Sequence, residues 1–65
     1  MKENFAIKLR ELRKASGMTQ EQLAAEFGVS VQAVSKWETA ASYPDIELMP
    51  RIADLFGVSL DELLR

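Results

Sequence analysis

The chain has 65 residues, 48% of them hydrophobic, and a formal charge of −2. That length holds a single domain, 1–65, with one small core. Cysteine and histidine are both absent, which removes disulfides, thiolate metal sites and the commonest acid–base catalyst and metal ligand, so neither an enzyme nor a metal or cofactor is expected.

The elements read as helices throughout, because Leu, Ala, Glu and Lys dominate and β-branched residues are sparse. Phe5, Leu9 and Leu12 recur at helical spacing among charged neighbours, predicting an amphipathic first helix over about 4–15 that closes at Gly17. Thr19 opens a second helix. Its hydroxyl can cap the backbone while Gln22 reaches back, and Met18 and Leu23 are placed as a hydrophobic staple. Leu23, Ala24 and Phe27 form its apolar side and Gly28 ends it. Ser30 caps a third helix, 31–38. On a wheel from Val31, Ala33, Val34 and Trp37 share one side, and Val31, Gln32, Ser35, Lys36 and Thr39 share the other. Trp37 is therefore expected in the core rather than as a stacking platform.

Residues 40–44 read as a loop. Asp45 is expected to cap a fourth helix containing Ile46, Leu48, Met49, Ile52, Ala53, Leu55 and Phe56. Pro50 leaves two versions open: either it sits near the end of an early turn, or a looser turn covers 45–48 and the regular helix starts later. Gly57 closes that helix. Ser59-Leu60-Asp61-Glu62 is a second capping box that starts a short fifth helix. Leu60, Leu63 and Leu64 divide between core and a candidate dimer surface. The acids Asp54, Asp61 and Glu62 are better explained by helix capping than by a cation site.

Charge is uneven along the chain. Residues 1–38 hold six basic and five acidic side chains, whereas 39–65 hold two and five. Any basic footprint for a polyanion therefore lies in the first half. Lys8, Arg10 and Lys14 are expected to be solvated, with phosphate contact as the lesser alternative. No apolar run reaches the ~20 residues of a membrane span, and no signal-peptide core follows Met1. A cytoplasmic protein without a membrane partner is expected.

The chain resembles the phage repressor/Cro-type helix-turn-helix domains, the XRE family. The resemblance is carried by Leu12-Arg13, Met18-Thr19-Gln20, Leu23-Ala24, Gly28-Val29-Ser30, Val34-Ser35-Lys36-Trp37-Glu38, Tyr43-Pro44-Asp45, Ile52-Ala53 and Phe56-Gly57-Val58-Ser59 followed by Leu63. It runs from about Phe5 to Leu64. It implies an all-α, lambda-repressor-like bundle of five short helices, with helix two across the DNA backbone and helix three in the major groove. Residue by residue, it implies base contacts from Val31, Gln32 and Lys36. Phosphate contacts would come from Gln20, Ser30, Ser35 and Thr39, with Gln20 in some relatives bracing a base-reading side chain. Arg13 and Glu38 would form an internal salt bridge. The implied partners are double-stranded DNA and a second copy of the chain on a two-fold operator, with no small-molecule substrate, in a repressor-type regulator. A protein-interaction or antitoxin-like module on the same scaffold is the alternative.

The residue types suit that chemistry. A glutamine can pair bidentately with adenine, a lysine can donate to guanine O6 and N7, and a valine can touch a thymine methyl. The sequence departs from the family pattern after Glu38. Thr39-Ala40-Ala41 puts alanine where a left-handed cap residue is common, at about 1 kcal/mol if that geometry is kept. No Lys or Arg lies between Lys36 and Arg51, so this loop offers phosphate little charge.

Overall fold

Each of the five helices ends, begins, or does both at a residue whose side chain or backbone freedom satisfies the groups a helix terminus leaves open. The structure, a computed structural model, describes residues 2–65. Met1, part of the expected 1–65 domain, lies outside the described residues. The helices are α1 (Lys2–Ala15), α2 (Gln20–Phe27), α3 (Val31–Glu38), α4 (Met49–Phe56) and α5 (Leu60–Leu64), and no strand occurs among the described residues. The all-α, five-helix expectation holds, with α1 starting two residues earlier than the periodicity indicated.

The caps at α2, α3 and α5 are those the sequence supplies. Thr19 Oγ1 accepts from the Gln22 amide at 3.0 Å while Gln22 Oε1 accepts from the Thr19 amide at 2.9 Å. Ser30 Oγ accepts from the Ala33 amide at 3.1 Å. Ser59 and Glu62 repeat the reciprocal pair at 3.0 and 2.9 Å. Replacing such a cap by alanine typically costs ~1 kcal/mol. Gly28, at φ 65°, closes α2 in the left-handed region that lacks a Cβ penalty only for glycine.

The start of α4 corrects the sequence reading. Asp45 does not cap it. The cap position belongs to Leu48, which makes no side-chain cap bond. Ile46 and Leu48, expected within this helix, belong instead to a separate turn over residues 46–48, in which the Leu48 amide donates to the Asp45 carbonyl at 2.9 Å. Pro50 then falls in the first turn of α4, where a missing N–H costs nothing because the first amides have no intrahelical acceptor. The version in which the regular helix starts late is the one adopted.

α3 packs against α1 and α2, and α5 against α1 and α4. The centre is filled by Phe5, Leu9, Leu23, Val34, Ile52 and Leu63, each no more than 1% exposed. At ~1.5–3 kcal/mol for each large side chain removed from water, these residues dominate the stabilising side of folding. The Tyr43 ring meets Phe5 edge-on at 5.3 Å, and Pro44 is buried beside it, which holds the α3–α4 loop down on α1. The Arg51 guanidinium lies 5.4 Å from the centre of the Phe27 ring and ties α4 to α2. No helix among the described residues is long and apolar enough to cross a membrane.

Candidate nucleic-acid interface

α3 has an anchored side and a presented side. Val34 is fully buried and Trp37 is 4% exposed, so both serve the core, as the wheel indicated. Gln32 and Lys36 are exposed on the opposite side, and Ser35 is half-buried. Val31 differs from its wheel position: it is half-buried and rests on the rim of the core. It occupies the first helical position, where side chains lean back over the preceding turn. Part of its surface remains for contact, but the outermost polar groups are Gln32 and Lys36.

The C-terminal end of α3 is fastened by a buried ion pair. Arg13 and Glu38 are each 8% exposed. Arg13 Nε donates to Glu38 Oε2 at 2.6 Å and its second terminal nitrogen donates to Oε1 at 3.0 Å. The remaining terminal nitrogen donates to the Met18 carbonyl at 2.8 Å. Hydrogen bonding to the Glu38 carboxylate, the largest influence, holds the Arg13 guanidinium above its ordinary value. Gln20 Nε2 also donates to Glu38 Oε1, at 3.1 Å. One carboxylate therefore joins α1, the start of α2 and the end of α3. No buried side-chain polar atom among the described residues lacks a partner. The salt bridge expected between Arg13 and Glu38 is present; its link to Gln20 carries no sequence signal of its own.

The polar groups assigned to phosphate differ in what they have left to give. Ser30 Oγ accepts a bond within the cap, so its own proton stays available. Gln20 spends one amide proton on Glu38 and keeps a second. The Thr39 hydroxyl donates to the Ser35 carbonyl at 2.9 Å, so it must turn before it can donate elsewhere. Gln20 and Thr39, but not Ser30, meet at a polar recess of about 220 Å³ lined by Arg10, Arg13, Gln20, Glu38 and Thr39. Arg10, expected to be solvated with phosphate contact as the lesser alternative, is the member whose place beside Gln20 and Thr39 the sequence did not show. The only signal was its spacing: three residues before Arg13, it lies on the same face of α1.

Beyond Glu38 the chain closes α3 with Ala40 at φ 64°. The Ala41 amide donates to the Lys36 carbonyl at 2.9 Å, the six-to-one bond of a Schellman cap. The left-handed geometry is kept although glycine is not there. No cluster of three or more Asp or Glu able to hold a metal ion occurs among the described residues. Glu62 is used in its cap, and Asp61 pairs with Arg65 at 2.8 Å.

A family profile described as helix-turn-helix matches residues 9–63. The HTH-type transcriptional activator BcrR of Enterococcus faecalis is 47% identical over 60 residues, covering 92% of this chain and 29% of that protein. The cryptic phage CTXphi transcriptional repressor RstR of Vibrio cholerae is 39% identical over 56 residues, 86% of this chain and 50% of RstR. The uncharacterized HTH-type transcriptional regulator YazB of Bacillus subtilis is 34% identical over 56 residues, 86% of this chain and 81% of YazB. The chain thus spans half or less of BcrR and RstR, and most of YazB. No solved structure gives a significant match. With five helices, an anchored α3 and a profile match across most of its length, the chain belongs to the helix-turn-helix family, in the phage repressor/Cro-type (XRE) branch, a family of DNA-binding transcription regulators.

Proposed function

We propose that the 65 residues form one sequence-specific, non-catalytic DNA-binding module of a cytoplasmic transcription regulator of repressor type. α3 enters the major groove. Gln32 and Lys36 read base edges there, and Val31 contributes the apolar contact its half-exposed side chain still allows. Gln20, Ser30, Ser35 and Thr39 meet the phosphates flanking the groove, setting register rather than sequence. The observation that carries this reading is the division of α3: Val34, Trp37 and Glu38 are locked inside while Gln32 and Lys36 project from the opposite side.

The proposed module works as a homodimer on a two-fold operator, with half-sites about one helical turn apart. A two-fold interface must be complementary to itself. One face offers both parts of such a contact: an apolar groove of about 500 Å³ lined by Tyr43, Pro44, Ile46, Met49, Leu60 and Leu64, and Ile46 itself, 85% exposed at its edge. Leu63 belongs to the core, which leaves Leu60 and Leu64 for this surface.

Selection of bound duplexes from a random pool, followed by anisotropy titrations at several salt concentrations, tests the reading. A half-site with two-fold spacing is expected. Gln32→Ala and Lys36→Ala should each cost about 1–3 kcal/mol of discrimination at one base position. Equal binding of selected and random duplex at low salt would overturn it. The apolar groove and the acidic second half favour a second reading, a protein-interaction or antitoxin-like module. Under that reading the two alanine variants leave partner binding intact and no duplex is preferred.

A further inference from the structure

We propose that Arg10, on α1, supplies the cationic phosphate contact that the α3–α4 loop lacks, by seating a DNA phosphodiester in the recess it shares with Gln20 and Thr39. This inference rests on the DNA-binding reading. The recess holds three charged side chains: Arg10, Arg13 and Glu38. Arg13 cannot serve an incoming anion, because it is buried and its bonds go to Glu38 and the Met18 carbonyl. Arg13 and Glu38 cancel each other's charge, so their pair attracts no phosphate by itself. Arg10 is exposed, and among the described residues it makes no hydrogen bond or ion pair. It is therefore the uncommitted positive charge at this spot.

The neutral neighbours fit the same ligand. Gln20 keeps one amide proton after bonding Glu38, and Thr39 carries a hydroxyl at the rim. An arginine suits a tetrahedral phosphate through paired N–H donors. The need for it lies in the sequence: no Lys or Arg stands between Lys36 and Arg51. Charge absent from the loop after α3 is restored across the recess by a residue from the first helix. Lys14 lies one turn further on but lines the adjoining recess with Ile7 and Glu11, not this one.

The experiment compares wild type, Arg10→Gln and Lys14→Gln on the selected duplex and on random duplex, each across 50–200 mM salt. Arg10→Gln should flatten the slope of log affinity against log salt by about 0.9, so that its affinity falls about 3.5-fold less than wild type over that range. At low salt it should bind more weakly to both duplexes by the same factor, since a phosphate contact carries no base information. An unchanged slope in Arg10→Gln, or an equal change in Lys14→Gln, overturns the assignment while wild-type binding keeps the DNA reading intact. Absence of wild-type binding to any duplex overturns both. Because Arg10 has no partner in the fold, the melting temperature of Arg10→Gln should match wild type, which separates lost contact from lost structure.

Discussion

The two ends of the loop from Thr39 to Leu48 look onto opposite kinds of surface. On one side, around Glu38, the buried charges are matched: Arg13 and Glu38 satisfy each other, and the half-buried Gln20 adds a third bond. On the other, around Ile46, apolar side chains stay in water. The first region is complete within one chain and fixes geometry. The second is incomplete by itself, and its surplus of apolar surface is what an association face requires. A domain this small cannot bury all its apolar groups, so where it leaves them exposed is informative.

The ion pair is where a single substitution has the largest effect. Glu38→Ala should destabilise the fold by about 3–5 kcal/mol, because it leaves the Arg13 charge buried without a partner. That is a large part of the total stability of a small domain, and chemical denaturation followed by circular dichroism measures it. The double variant Arg13→Met/Glu38→Leu should recover most of the loss. If it stays as unstable as the single variant, the pair contributes more than mutual neutralisation.

Ile46→Glu tests the other side. It should weaken self-association at least tenfold, from the ~1.5–3 kcal/mol available on burying an isoleucine, with the monomer's melting temperature unchanged because the residue is exposed in the fold. Sedimentation equilibrium gives the association constant, and an unaltered value removes the groove from the dimer.

Ala40→Gly, in the loop that joins the two regions, should stabilise. Relief of the left-handed strain at φ 64° outweighs the added freedom of the unfolded chain by about 0.5 kcal/mol, which raises Tm by about 2–4 °C in a chain of this size. A lower Tm would mean that the alanine Cβ contributes packing that the strain hides.

The smallest effect is expected at Glu62. The Ser59 amide, donating to its carboxylate, holds this group below the usual carboxylate range. A folded-state value below the unfolded one contributes stability above the unfolded value, lost as pH falls through the folded one. Glu62→Gln keeps the capping geometry and should remove that part of the acid dependence, visible as a flatter profile of Tm against pH below neutrality.

Sequence alone carried the features set by local chemistry. Thr19, Ser30 and Ser59 cap because a hydroxyl followed three residues on by the right amide is a short-range event, and Gly28 closes α2 for a reason held within one residue. Val34 and Trp37 followed from helical phase. What escaped needed distant parts of the chain. Asp45 looks like a cap beside the pattern of α4, but Leu48 takes the place once Pro50 is housed in the first turn. Val31 has the phase of an exposed residue, yet the rim of the core covers part of it. The resemblance supplied the pair of Arg13 and Glu38, 25 residues apart. Helical spacing puts Arg10 on the Arg13 face of α1, whereas its approach to Gln20 and Thr39 comes from three-dimensional packing.

The bond from Gln20 to Glu38 has a consequence for how DNA is chosen. It joins the residue proposed for the backbone to the end of the helix proposed for the bases, so the spacing between the two contacts is a gauge built into the protein. A duplex has to match that gauge, and base steps that let a strand shift toward it cost less to deform. On the proposed reading, the selected operators should therefore show preferences at base pairs no side chain reaches, set by groove width and stiffness rather than by hydrogen-bond pattern.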